Sequence, residues 1–182
     1  AIGREALGVA TTADNNTSVG FDSMQANTTG AGNAAVGKDA LFTNTTGADN
    51  TALGNNALKA NTTASENTAV GAYSLGTNTT GTANVAVGRG ALQVSTTGGY
   101  NTSSGYNSLN ENTTASNNTA FGAEALKKTT TGASNTGVGL SAVACNTTGA
   151  DNTGLGYEAL KQNTTGTSNV AIGVTALDGA TT

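Results

Sequence analysis

The chain has 182 residues, a net charge of −4 from seven basic and eleven acidic side chains, 26 Gly, one Cys, and no His, Trp or Pro. So few and scattered Lys and Arg argue against a nucleic-acid surface, which needs clustered positive charge. The missing His and the lack of any Ser, Asp and base constellation argue against catalysis, no apolar run approaches the ~18 residues of a membrane span, and no signal peptide or phosphate loop is visible.

In chain order the sequence is an array. Residues 44–60, NTTGADNTALGNNALKA, are followed at once by NTTASENTAVGAYSLGT, and Gly3, Gly20, Gly37, Gly54, Gly71, Gly88, Gly105, Gly122, Gly139, Gly156 and Gly173 recur every 17 residues. One apolar column precedes the Gly, from Ile2 and Val19 through Leu53 to Ile172, broken by Ser104. A second lies four residues past it, from Leu7 and Met24 through Leu58 to Leu177. Thr-Thr pairs run from Thr11 and Thr12 to Thr181 and Thr182. Self-similarity at a short fixed period marks a solenoid in which each unit buries its apolar face against its neighbours. The chain opens inside a repeat and ends just before the next Gly, so the expectation is one uncapped array over 1–182 of about eleven turns, an excerpt of a longer fibre.

Short β-branched and Ala-rich steps such as NTAVG predict strands, and the Gly column predicts the bends between them. If residues 50–54 are extended, Thr51 and Leu53 share one face and Ala52 the other. A turn around Gly54 would then bring Leu53 and Leu58 into one core, with Gly required by a crowded corner or a positive φ. The alternative is a single helical turn at the Ala-Leu step, as AEALKK at 123–128 suggests, too short to stand alone. The fold class expected is all-β, a parallel β-solenoid or β-roll with one repeat per turn at about 4.8 Å rise. Like then sits on like, and Asn16, Asn33, Asn50, Asn67, Asn84, Asn101, Asn118, Asn135, Asn152 and Asn169 form an amide ladder, as stacked Asn does in cross-β assemblies. Two large apolar side chains per turn make a thin core, which predicts packing against other copies, a homotrimer or filament.

The motifs NVAVG (84–88), NVAIG (169–173) and NTAVG (67–71) resemble the head repeats of trimeric autotransporter adhesins, the YadA-like family, and similar repeats of phage tail fibres. The resemblance implies a left-handed parallel β-roll, three chains about one axis, and attachment at a cell or virion surface. The turn here is longer, with NTTG as the apparent insertion.

NTT matches the N-glycosylation acceptor at Asn27, Asn44, Asn61, Asn78, Asn112, Asn146 and Asn163. The next residues, Thr28, Thr45, Thr62, Thr79, Thr113, Thr147 and Thr164, are candidates for O-glycosylation. Ala10, Ser95, Thr129 and Ala180 replace the Asn while the Thr pair stays, so the pair has a role independent of the sequon. Thr rows also suggest an ice-binding face, although strand alternation turns only one Thr of each pair outward. Glu5, Asp22 and Asp39 stack beside Arg4 and Lys38, but the column breaks at Asn56, Tyr73 and Gly90 and reads as a solvated edge rather than a calcium site. Cys145 occupies a variable position and reads as a bystander thiol. The expected function is the structural shaft of an extracellular fibre, filament or adhesin, non-enzymatic, without cofactor, metal, nucleic acid or membrane span, and with covalent glycans as partners. The alternative is a binding module, either an adhesin head for matrix or carbohydrate or an ice-binding solenoid.

Overall fold

The computed structural model describes residues 1–179. Its ten strands are β1 (Thr17–Val19), β2 (Ala34–Val36), β3 (Thr51–Leu53), β4 (Thr68–Val70), β5 (Val85–Val87), β6 (Thr102–Ser104), β7 (Thr119–Phe121), β8 (Thr136–Val138), β9 (Thr153–Leu155) and β10 (Val170–Ile172). They form one parallel sheet in sequence order, β1 to β10, each strand paired with the copy 17 residues away, as in Thr51↔Thr68, Ala52↔Ala69 and Leu53↔Val70. Ile2 extends the sheet with a bridge to Val19. The fold is therefore a parallel β-solenoid with one repeat per coil.

Axial bonding is not confined to the strands. In the coil 50–66, the N–H of Thr51 donates to Asn67 O at 2.8 Å, Leu58 to Ser74 O at 3.0 Å, Ala60 to Gly76 O at 3.2 Å and Thr62 to Thr79 O at 3.2 Å, while Asn56 and Glu66 donate the other way, to Lys38 O and Ala48 O. Each side of the coil is thus tied to its neighbour, which satisfies the backbone groups that a small cross-section would otherwise strand.

The faces of the strands are the reverse of the expectation. Ala52 is fully buried whereas Leu53 is 39% exposed, and Leu58, fully buried, fills the interior alone. The cause is width. Leu58 reaches across the narrow coil toward the strand, leaving the inward strand position room only for Ala, Ser or Gly: Ser18, Ala35, Ala52, Ala69, Ala86, Ser103, Ala120, Gly137, Gly154 and Ala171. A Cβ added to Gly154 would meet Val143 Cγ2 at 2.6 Å, and one on Gly137 would meet Leu126 Cγ at 3.1 Å. The core is accordingly a stack of Met24, Leu41, Leu58, Leu75, Leu92, Leu109, Leu126, Val143 and Leu160 interleaved with two columns of small residues. Where the strand offers Ser, the facing small column does too: Ser18 Oγ donates to Ser23 O at 2.8 Å, and Ser103 bonds Ser108.

The Ala-Leu step is not a helical turn. Ala57 N–H donates to Gly54 O and Asn61 N–H to Leu58 O, two consecutive three-residue closures, with Asn56 at φ 57° and Leu58 at φ 50°. In the segment 123–128, Glu124 (59°) and Leu126 (51°) repeat this pattern. Left-handed Leu costs about 1–2 kcal/mol relative to its ordinary conformation. Burial of the side chain and the axial bond from its N–H hold it there. The corner Gly meets the expectation: Gly88 has φ 131°, and a Cβ there would lie 2.5 Å from Gly105 O.

Candidate functional site

With Leu58 and Ala52 facing inward, the other columns sort by what each side chain reaches. The Asn50 column is continuous, buried from Asn33 to Asn152 and half-buried at its ends, Asn16 and Asn169. Asn33 Oδ1 accepts from Asn50 N–H at 2.9 Å and from Asn50 Nδ2 at 3.1 Å, and Asn50 Nδ2 also donates to Ala64 O at 2.9 Å. The backbone half of this contact repeats at each step from Asn16 to Asn169, through Asn33, Asn50, Asn67, Asn84, Asn101, Asn118, Asn135 and Asn152. The side chain thus works as a backbone acceptor just ahead of each strand.

The sequon residues form a second ladder. Asn27, Asn44, Asn61, Asn78, Asn112, Asn146 and Asn163 have no exposed surface. Asn44 Nδ2 donates to Asn27 Oδ1 at 2.9 Å and to Gly47 O at 2.9 Å, and Asn61 and Asn78 continue the chain at 2.8 and 3.1 Å. The amide nitrogen to which an N-glycan would be attached is therefore enclosed and already bonded, so the folded coil presents no N-linked acceptor at these positions. All four substitutes at this position, Ala10, Ser95, Thr129 and Ala180, are small, and Ser95 and Thr129 are equally buried.

The first Thr of each pair is also engaged. The hydroxyls of Thr28, Thr45, Thr62, Thr79, Thr113 and Thr147 each donate to the main-chain carbonyl of the Thr 17 residues on, at 3.0–3.1 Å, and Thr164 receives the last of these bonds. These Thr are half-buried, while the second Thr of the pair, Thr46 for example, is exposed. The stack of first Thr residues braces the coils. O-linked decoration of it would give up that bracing, whereas decoration of Thr46 and its equivalents would not.

Charged side chains lie outside the strands, most of them in the turns. Lys59 pairs with Asp39 of the preceding coil at 3.1 Å, Lys127 with Glu124 at 2.9 Å and Lys161 with Glu158 at 2.6 Å. The hydrogen bond from Lys161 lowers the pKa of Glu158 and raises that of Lys161, and Glu124 raises that of Lys127 in the same way. Glu5 lies against Arg4 and Gln25, and among the described residues no group of three or more His, Cys, Asp or Glu is placed to hold a metal ion. Cys145 is free and half-buried. Shallow grooves on the turn edge, one lined by Asn56, Lys59, Tyr73, Gly76, Thr77 and Gln93, offer no convergent acid–base set.

The remaining side is the outer face of the sheet. Its strands read TSV, AAV, TAL, TAV, VAV, TSS, TAF, TGV, TGL and VAI, with no charge at any position. The first and third residues point outward, so Thr, Val and Ala34 line one column and Val, Leu, Ile, Phe and Ser104 the other. Val36, Val87, Val138 and Phe121 are 38–47% exposed. Beside them, just past the corner Gly, Phe21, Tyr106, Leu140 and Tyr157 are exposed as well. Cations share this column: Arg4 and Lys38 lie over the Phe21 ring and Arg89 over Tyr106. Among the described residues no helix is long and apolar enough to cross a membrane.

No family model, curated protein or solved structure matches the chain.

Proposed function

We propose that the chain is a section of the structural shaft of a fibre, filament or adhesin at a cell or virion surface, non-enzymatic and laterally associated with further copies of itself. The observation that carries this reading is the axial bonding: each coil is joined to the next by main-chain bonds on several sides and by one Asn ladder running from Asn16 to Asn169. Such a stack resists bending and leaves proteases little extended backbone to seize. Its surface chemistry suits an inert rod, since the charges are few and none lies on a strand. The YadA-like resemblance of NVAVG and NVAIG supports attachment as the setting for that rod. Exposed Thr46 and its equivalents are the hydroxyls best placed to carry saccharides.

Cryo-electron microscopy of native material tests the reading. Continuous fibres with an axial repeat near about 4.8 Å are expected, and discrete particles with no axial continuity would overturn it. A second reading, a binding module, draws on the exposed column of second Thr residues. Thermal hysteresis or retention on a glycan array, abolished by Thr46→Lys with Thr63→Lys, would favour that module over the shaft.

A further inference from the structure

We infer that asparagine-linked glycosylation and folding exclude each other in this chain, so that it folds only where no oligosaccharide is transferred to its sequons before the coils close. The constraint lies in the interior and holds for a shaft and a binding module alike.

The acceptors are more numerous than the Asn-Thr-Thr steps. Asn15, Asn16, Asn101 and Asn117 also head Asn-X-Ser or Asn-X-Thr triplets, which makes eleven in all. Asn101 is buried like the seven sequon Asn of the second ladder and Asn16 is half-buried, whereas Asn15 and Asn117 are exposed.

The atom that would carry the sugar is the one the fold uses. Transfer joins C1 of an oligosaccharide to Nδ2: the N–C1 bond replaces one N–H, the bond from C1 to the diphosphate of a lipid carrier breaks, the lipid diphosphate leaves with that electron pair, and the amide proton passes to a base. Asn61 Nδ2 has no N–H to spare, since it donates to Asn44 Oδ1 at 2.8 Å and to Ala64 O at 3.0 Å. Asn101 is committed in the same way, to Asn84 Oδ1 at 3.1 Å and Ala115 O at 2.9 Å. Nor is there room. A single carbon added to Gly30 would lie 2.9 Å from Asn44 Nδ2, one on Gly47 3.0 Å from Asn61 Nδ2, and one on Gly132 3.1 Å from Asn146 Nδ2. Space that refuses a methyl group refuses a sugar ring.

Timing leaves the triplets open to transfer. Each repeat contacts only its neighbours, so a coil encloses its Asn only after the next coil has stacked on it. At about 5–20 residues synthesised per second, the next repeat takes about 1–3 s to appear, and until then the triplet belongs to an open chain. One modified coil suffices to interrupt the stack, because the bonds to the coils before and after are the ones that hold it. The buried acceptors run from Asn27 to Asn163, so most of the array is exposed to this failure.

The hydroxyl that completes each Asn-Thr-Thr triplet belongs to the exposed second Thr, which allows the triplet to be removed without touching the ladder or the bracing first Thr. The test secretes the 182-residue chain from yeast behind a cleavable leader and makes it in parallel in the bacterial cytosol. The bacterial product is expected to be folded by circular dichroism and to match the 17.6 kDa of the bare chain. The yeast product is expected to carry sugar on ladder Asn, to stay in the cell, and to be digested by protease at least tenfold faster. A variant with the second Thr of all seven pairs, Thr29 to Thr165, changed to Ala, together with Ser18→Ala and Ser103→Ala, keeps only the Asn15 and Asn117 triplets. It should reach the medium folded, at least tenfold more abundant than the parent, with sugar on those two Asn alone. Should the variant fail to fold in bacteria, parent chain made in yeast with lipid-linked oligosaccharide synthesis inhibited takes its place and should be secreted folded. Parent chain secreted folded without the inhibitor, whether its ladder Asn are modified or bare, would overturn the inference, as would retention that persists when transfer is blocked.

Discussion

Two columns of buried Asn run side by side through this solenoid, and only one of them is unbroken. In the Asn50 column each Oδ1 accepts a main-chain N–H from the next coil, so losing the side chain strands a backbone donor. In the Asn61 column the Oδ1 of Asn27, Asn44, Asn61 and Asn146 serves the next side-chain amide, and losing Asn61 strands only side-chain atoms. The chain behaves accordingly. The first column is Asn in each copy from Asn16 to Asn169, while the second admits Ser95 and Thr129. The cost of those exceptions is visible as orphaned atoms: Asn78 Oδ1, which faces Ser95 and finds no donor, and the hydroxyls of Ser95 and Thr129 themselves. Asn112, next to Thr129, turns its Oδ1 back to its own Ala115 N–H at 3.0 Å. A side chain that replaces a backbone acceptor is less dispensable than one that pairs with its own kind.

The largest effect is expected from Asn84→Leu. It removes the acceptor of Asn101 N–H and the donor to Gly98 O, and two buried groups left unsatisfied cost about 3–5 kcal/mol in all. Urea unfolding, with hydrogen exchange localising the loss to residues near 84–101, checks it; unchanged exchange at Asn101 would sink the ladder's backbone role. Asn61→Ala should cost less, about 2 kcal/mol, because no main-chain N–H loses its partner. A cost equal to or above that of Asn84→Leu would erase the distinction between the columns. Ser95→Asn repairs the second ladder between Asn78 and Asn112 and should stabilise by about 1 kcal/mol, read as a higher urea midpoint.

The smallest effect concerns pH. Glu158 has a folded pKa below its ordinary 4.5 because Lys161 donates to it. Its contribution is present above that value and fades as pH falls through the lowered one. Neither Asn column titrates, so the gap between the Asn84 and Asn61 variants should stay constant from neutral pH down to the onset of carboxylate protonation. A gap that closes with acid would mean that the turn charges, not the amides, separate them.

The period, the corner Gly and the Asn50 column were legible because a solenoid repeats its constraints in the sequence. The facing of the strand was not, because residue type alone misleads in a coil this thin. Leu53 looks more buried than Ala52, yet the width taken by Leu58 excludes it. Size variance was the better clue: the Ala52 column never exceeds Ser, while the Leu53 column ranges from Ser104 to Phe121, the tolerance of a surface. Left-handed Leu58 had no signal, since Leu carries no preference for that conformation and only the closure of the coil imposes it. Asn-Thr-Thr is ambiguous in sequence, an acceptor motif or a stacking step, and only the fold shows these Asn enclosed and bonded to one another.

Each coil bonds only to the coils immediately before and after it. A duplication or loss of 17 codons therefore lengthens or shortens the rod by a single rise of about 4.8 Å and asks no other residue to change its neighbours. Reach becomes a quantity that replication slippage can adjust in small uniform steps, and selection can tune how far the molecule extends without redesigning what it is made of.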